Sequence, residues 1–164
     1  MELITTTEKH IPIIKSIADE VWPKTFGDIL SQDQIVYMMD MMYSVDAIKE
    51  QMNNLNHHYL LAKDGEEYLG YLSYETNYRG KSWTKVHKIY VLSNTQGKGV
   101  GRFLINAVSE IAKKNNNTEL SLNVNRFNRA IDFYNKVGFE IIGNEDIDIG
   151  NGFLMEDYIM NKKL

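Results

Sequence analysis

The order of apolar periodicities predicts an α/β chain in which a mixed sheet carries helices on both faces. Helical spacing runs to about residue 53, strand-like alternation takes over between residues 58 and 92 around an Asp64-Gly65 turn, and after a cluster of glycines the order becomes α-β-α-β-β. A length of 164 residues fits one domain, 1–164, and such a chain buries roughly 70% of its unfolded surface. With 43% hydrophobic and 24% charged residues and only 2 prolines, it is neither a disordered nor a low-complexity chain.

Residues 2–6 alternate weakly and read as a first strand. Thr7 can cap a helix whose Ile11, Ile14, Ile17, Ala18 and Val21 recur at helical spacing, with Pro12 in the first turns, where a missing amide costs least. Trp22-Pro23 is expected to end that helix, because a residue before proline is pushed out of the helical region, and Gly27 marks a loop. Ser31 with Gln34 has the form of a capping box opening a helix through Ile35, Met38, Met39 and Met42, and Ser44 can cap a short helix to about Asn53. Residues 58–62 and 68–75 are strands joined by Lys63-Asp64-Gly65-Glu66, and residues 82–92 form a third strand. Phe103, Leu104, Ala107, Val108, Ile111 and Ala112 line one face of a helix ended by three asparagines. A strand at 119–124, a helix at 128–137 stopped by Gly138, and strands at 139–142 and 153–160 complete the order, with no repeat or linker.

The absence of cysteine excludes disulfides, a thiolate nucleophile, iron–sulfur clusters and sulfur-ligated zinc. His10, His57, His58 and His87 form no i, i+4 pair, so no HExxH site exists and no metal is expected. Residues 1–17 carry acidic and polar groups where a signal peptide needs an apolar core, and no run reaches the roughly 20 apolar residues of a membrane span, so a cytoplasmic location is expected.

The net charge of -4 hides a segregation. Residues 79–114 hold eight basic residues against one acidic, whereas residues 1–78 hold five basic against thirteen acidic. A basic middle in an acidic chain fits an anionic ligand there and a cationic partner elsewhere; nucleic acid would call for a wholly basic face, and solvated lysines are the plain alternative.

The chemically informative segment leads from a strand into Gln96-Gly97-Lys98-Gly99-Val100-Gly101-Arg102 and at once into a helix. Glycines let backbone amides approach an oxyanion, the helix start favours phosphate, and Lys98 and Arg102 add charge at the same end. A pyrophosphate cradle is one reading and a plain glycine-rich turn the other. A P-loop would need GxxxxGK with Ser or Thr, and the three glycines run as GxGxG rather than the dinucleotide GxGxxG.

Gln96-x-x-Gly99-x-Gly101 resembles the acetyl-CoA loop of the GNAT superfamily of N-acetyltransferases. Ile89-Tyr90-Val91 matches the apolar strand end that precedes that loop in the family. The run Asn128-Arg129-Ala130-Ile131-Asp132-Phe133-Tyr134, closing on Gly138-Phe139, matches its later Asn-x-x-Ala-x-x-Phe-Tyr segment. The resemblance implies the GNAT fold, a mixed, mostly antiparallel sheet of six to seven strands. It also implies binding of acetyl-CoA through residues 89–91, 96–102, Asn128, Arg129 and Tyr134, and a homodimer.

It implies roles as well. The backbone amide of Val91 faces the thioester oxygen, and Tyr134 protonates the departing thiolate. A phenol of pKa about 10 facing a thiol of about 8.5 transfers its proton at a cost of roughly 2 kcal/mol, so a strong hydrogen bond or a lowered phenol pKa must help. Holding an amine of pKa about 10.4 neutral at pH 7 costs about 4.6 kcal/mol, so a proton acceptor is sought. Glu75, at the end of one strand, and His87, two residues before Ile89, are the candidates. In the family the N-terminal helices form the acceptor site, which here points to Trp22, Phe26, Tyr37 and, through its carboxylate, Glu75. The acidic N-terminal half and a likeness to a polyamine-directed subgroup favour a small cationic amine; a protein lysine or N-terminus, or a non-catalytic acetyl-CoA sensor, are the alternatives.

Overall fold

A computed structural model describes residues 1–95 and 97–164 of the chain. In order, the elements are β1 (Glu2–Thr5), α1 (Ile11–Phe26), α2 (Gln32–Tyr43), α3 (Val45–Asn54), β2 (His58–Asp64), β3 (Glu67–Glu75), β4 (Trp83–Val91), α4 (Val100–Lys114), β5 (Glu119–Asn125), α5 (Ala130–Lys136), β6 (Glu140–Gly150) and β7 (Phe153–Lys163). The seven strands form a mixed sheet, as the periodicities predict. The chain divides into two compact units, Met1–Glu75 with His87–Val108, and Thr76–Val86 with Ser109–Leu164.

In the first unit the strand order is β1-β2-β3-β4, and the β2–β3 hairpin runs from His58↔Tyr74 to Asp64↔Glu67 around Gly65, whose φ is +60°. Thr7 precedes a single 3-10 turn, Glu8–His10, and α1 begins after it with Pro12 in its first turn. The helix does not stop before Pro23. It continues to Phe26, closing on Gly27 N–H donating to the Pro23 carbonyl at 2.9 Å. One lost amide bond is outweighed because Trp22 and Phe26, one turn apart, are both buried. Ser31 Oγ accepts from Gln34 N at 3.1 Å and Ser44 Oγ from Ala47 N at 3.1 Å, so both expected caps form. Ile14, Trp22, Tyr43, Ile48, Leu61, Tyr71 and Leu72 make up the innermost core.

In the second unit the order is β4-β5-β7-β6. β4 and β5 run parallel from Trp83↔Glu119 to Val86↔Leu122, while β5–β7 and β6–β7 are antiparallel. Asn117 braces the start of the parallel pair, its Oδ1 accepting from Thr84 Oγ1 at 2.7 Å and its Nδ2 donating to Asn77 Oδ1 at 2.7 Å. β6 reaches Gly150 instead of ending near residue 142, because residues 144–149 alternate in exposure although they are acidic and poor in strand-formers. α5 starts at Ala130, with Asn128 Oδ1 accepting from the Ala130 amide at 2.9 Å, and is followed by Gly138 at φ +103°. Among the described residues no helix is long and apolar enough to cross a membrane.

Candidate active site

The second half of β4 places alternate side chains on opposite faces, His87, Ile89 and Val91 on one and Lys88 and Tyr90 on the other. On the first face, His87 Nε2 lies 3.0 Å from Glu75 Oε1 at the end of β3. An ionised carboxylate only accepts, so the hydrogen sits on Nε2 and Nδ1 is the basic nitrogen of the neutral ring. The two residues expected as proton acceptors therefore form one hydrogen-bonded pair.

His57, from the turn before β2, stacks on His87 with ring centroids 3.9 Å apart and planes 15° apart, and its Nε2 stands 3.8 Å from Glu75 Oε1. Its Nδ1 is buried without a hydrogen-bond partner. Burial, then the neighbouring His87 and Lys88, hold the His57 imidazole down to about 4 against the opposing pull of Glu75, so it is neutral at pH 7.

Lys88, on the opposite face, is 7% exposed. Its ammonium donates to Tyr59 Oη at 2.5 Å, Gln51 Oε1 at 2.8 Å and the Met42 carbonyl at 3.2 Å, and sits 4.3 Å from the Tyr43 ring centre. Burial lowers its pKa to about 7, while three acceptors match its three N–H groups. A single side chain thus ties β4 to β2, to α3 and to the end of α2.

β4 leads into the glycine loop under tight control. A Cβ at Gly70 of β3 would lie 2.7 Å from the Tyr90 carbonyl oxygen and 3.2 Å from Val91 Cα, so only glycine allows the two backbones to approach. Leu92 N–H then donates to the Leu69 carbonyl at 2.9 Å, and Thr95 Oγ1 to the Leu92 carbonyl at 2.6 Å. Gln96 lies outside the described residues. Gly97 and Gly99 hold φ of +86° and +74°, conformations that side chains disfavour, and α4 begins at Val100, its first inner bond running from Phe103 N–H to the Gly99 carbonyl. Gly97, Lys98 and Gly99 are exposed, as is Arg102, and the first-turn amides of α4, Gly101 among them, have no carbonyl within the helix to bond. The loop fits a phosphate group.

In the second unit, Tyr134 is buried on α5 with its ring edge-on to Phe133 and Phe139, at 5.5 Å and 5.8 Å. Burial raises its phenol above the ordinary value, so a lowered pKa is not how it would serve a thiolate; donation of a hydrogen bond remains. Asn128 Oδ1 accepts from the first amide of α5, and Arg129 is exposed beside it.

Trp22 and Phe26 belong to the core rather than to an acceptor surface. They are 2% and 5% exposed, lie 4.4 Å apart, and pack on Tyr90 at 5.8 Å and 6.4 Å. Trp22 Nε1 also donates to Tyr43 Oη at 3.3 Å, and Tyr71 Oη to the same oxygen at 2.6 Å. Tyr37 is half-buried on α2. Sequence reasoning missed His57, Gly70 and the Lys88–Gln51–Tyr59 group. A lysine inside an apolar strand was the one available signal.

Residues 15–139 match the family described as Acetyltransferase (GNAT) family. The chain belongs to this acetyltransferase family. An uncharacterized N-acetyltransferase of Methanocaldococcus jannaschii is 36% identical over 66 residues, which is 40% of this chain and 29% of that protein, so the match spans under a third of the relative's length. Among solved structures, PaiA N-acetyltransferase from Thermoplasma acidophilum, in complex with coenzyme A, has the same fold with a TM-score of 0.81 at 24% identity over 99% of this chain and 98% of that one. A GCN5-related N-acetyltransferase of Rhodopseudomonas palustris superposes with a TM-score of 0.83 at 18% identity, covering 99% and 95%.

Proposed function

We propose that the protein moves the acetyl group of acetyl-CoA to the primary amine of a small cationic acceptor, with the Glu75–His87 pair taking the amine's proton. The observation that carries this reading is the 3.0 Å hydrogen bond between His87 and Glu75 on the strand that runs into the glycine loop. Acetyl-CoA supplies the acetyl group as an activated thioester. Its phosphates are assigned to the loop from Gly97 to Arg102, supported by the positive φ angles of Gly97 and Gly99 and by the helix that starts at Val100.

His87 accepts the proton at Nδ1, and Glu75, hydrogen-bonded to Nε2, stabilises the imidazolium that results. The loss of that proton leaves a neutral amine able to form the new C–N bond. The Val91 amide is assigned to the developing oxyanion; the parallel ladder to β5 ends at Val86, so this amide is not one of its donors, and Gly70 fixes the local backbone. Tyr134, by its place in the family motif, donates a hydrogen bond to the sulfur as the C–S bond breaks; coenzyme A departs with its sulfur as the thiolate, and the second proton of the new C–N nitrogen passes to that sulfur or to solvent. Tyr37 and Glu75 are kept as acceptor contacts, and the excess of acid over base in residues 1–78 favours a cationic acceptor. A homodimer belongs to the same reading, on the family resemblance.

The test is thiol release from acetyl-CoA with free polyamines, other small amines and lysine peptides as acceptors. Turnover of the free amines supports the reading. Turnover of peptides alone moves the acceptor to protein, and coenzyme A binding without any turnover identifies a sensor.

A further inference from the structure

The proton relay leaves His57 unexplained. A relay needs one imidazole on one carboxylate, and here a second imidazole is stacked on the first, with its Nε2 3.8 Å from Glu75, beyond hydrogen-bond range. One ligand atom from each of His57, Glu75 and His87 lies within 4.8 Å of the other two. Two imidazoles and one carboxylate are a set that zinc takes up, with bonds of about 2.0–2.2 Å and hence tetrahedral edges of about 3.4 Å. The observed separations of 3.0 Å and 3.8 Å bracket that edge.

We propose that His57, Glu75 and His87 form a site for one borderline divalent cation, zinc being the foremost, and that occupancy of this site switches off the proton relay. The inhibitory part rests on the function proposed above; the binding part does not. The three donors come from the turn before β2, the end of β3 and the middle of β4, all within the first unit. Their side chains are 15%, 23% and 19% exposed, which leaves an entry path and a fourth coordination position for water.

His57 offers the lone pair of a ring nitrogen to the ion. His87 Nε2 gives up its hydrogen, which reappears at Nδ1 in the other tautomer, and the Glu75 lone pair passes from the hydrogen bond to the metal. The stacked rings tilt apart so that both nitrogen lone pairs converge. One carboxylate against a divalent cation leaves a local charge of +1, so the site is weaker than a structural zinc centre with several anionic ligands. With the ion bound, the basic Nδ1 carries hydrogen and accepts no proton from the amine.

The experiment is calorimetric titration of the EDTA-dialysed full chain with zinc chloride in the absence of acetyl-CoA, repeated with cobalt(II) for its visible spectrum. One zinc per chain is expected, with affinity falling about tenfold or more in His57→Gln and in His57→Phe, the latter keeping an aromatic ring on His87. Zinc is expected to raise the melting temperature of the wild type and of neither variant, and circular dichroism of each variant shows whether it has folded. Absence of stoichiometric binding, or equal binding by wild type and folded variants, overturns the site. Turnover assayed in EDTA separates the two claims, since activity without zinc binding removes only the metal site, and zinc binding without activity removes only the transferase reading.

Discussion

On the proposed relay, removal of the His87 imidazole leaves Glu75 and the acceptor ammonium with no group to mediate between them. His87→Ala is expected to lower kcat/KM about 100-fold or more at pH 7, with a smaller deficit at high pH, where the amine is already neutral. A pH–rate profile of the variant parallel to that of wild type contradicts the role. Tyr134→Phe keeps the ring packing against Phe139 and loses only the hydroxyl, so kcat is expected to fall about tenfold to 100-fold with little change in melting temperature. Lys88 acts on stability. Its pKa of about 7, against 10.5 in the unfolded chain, means that the unfolded state binds more protons between those values, so stability rises with pH from about 7 to 10.5. For His57, about 4 folded and 6.5 unfolded, stability is lost as pH falls from about 6.5 to 4. Urea midpoints of wild type, Lys88→Met and His57→Gln across these two windows check both slopes, each variant flattening its own window. Of these residues, Glu75, His87 and Tyr134 were legible in the sequence, the first two by their places on adjacent strands and the third by its motif. His57 was not, because stacking on a residue 30 positions away leaves no trace in spacing.

Among the elements, legibility followed local chemistry. The Ser31 and Ser44 caps and the Asp64-Gly65 hairpin formed as read, because each is decided within four or five residues. α1 ran past Pro23 and β6 past residue 142, because tertiary burial of Phe26 and pairing with β7 decided those ends. Gly70 is the element-scale residue with the largest consequence. Gly70→Ala sets a methyl 2.7 Å from the Tyr90 carbonyl and displaces Val91, and the expected result is a loss of about 1–3 kcal/mol in stability together with a fall in kcat exceeding that in the acetyl-CoA KM. Denaturant unfolding and steady-state kinetics on the same preparation measure both. A stable variant with unchanged kcat removes Val91 from the oxyanion contact.

Over the whole molecule, charge was the most readable property and the easiest to test. The basic stretch from Arg79 to Lys114 contains the glycine loop, and the acidic residues 1–78 hold the expected acceptor side. Raising ionic strength from 0.15 M to 1 M shortens the screening length from about 8 Å to 3 Å, so coenzyme A affinity is expected to weaken with salt, less steeply in Lys98→Ala/Arg102→Ala. The mixed sheet could be read from the order of periodicities, since seven strands and five helices leave few arrangements in a chain this short. The joining of His57 to the Glu75–His87 pair could not, because it depends on a stacking between residues 30 positions apart. The most direct measurement is thiol release from acetyl-CoA across an amine panel, comparing wild type with His87→Ala. Saturable turnover of small cationic amines, collapsing in the variant and partly recovered at high pH, is the predicted result; turnover that is equal in the two proteins contradicts the Glu75–His87 relay.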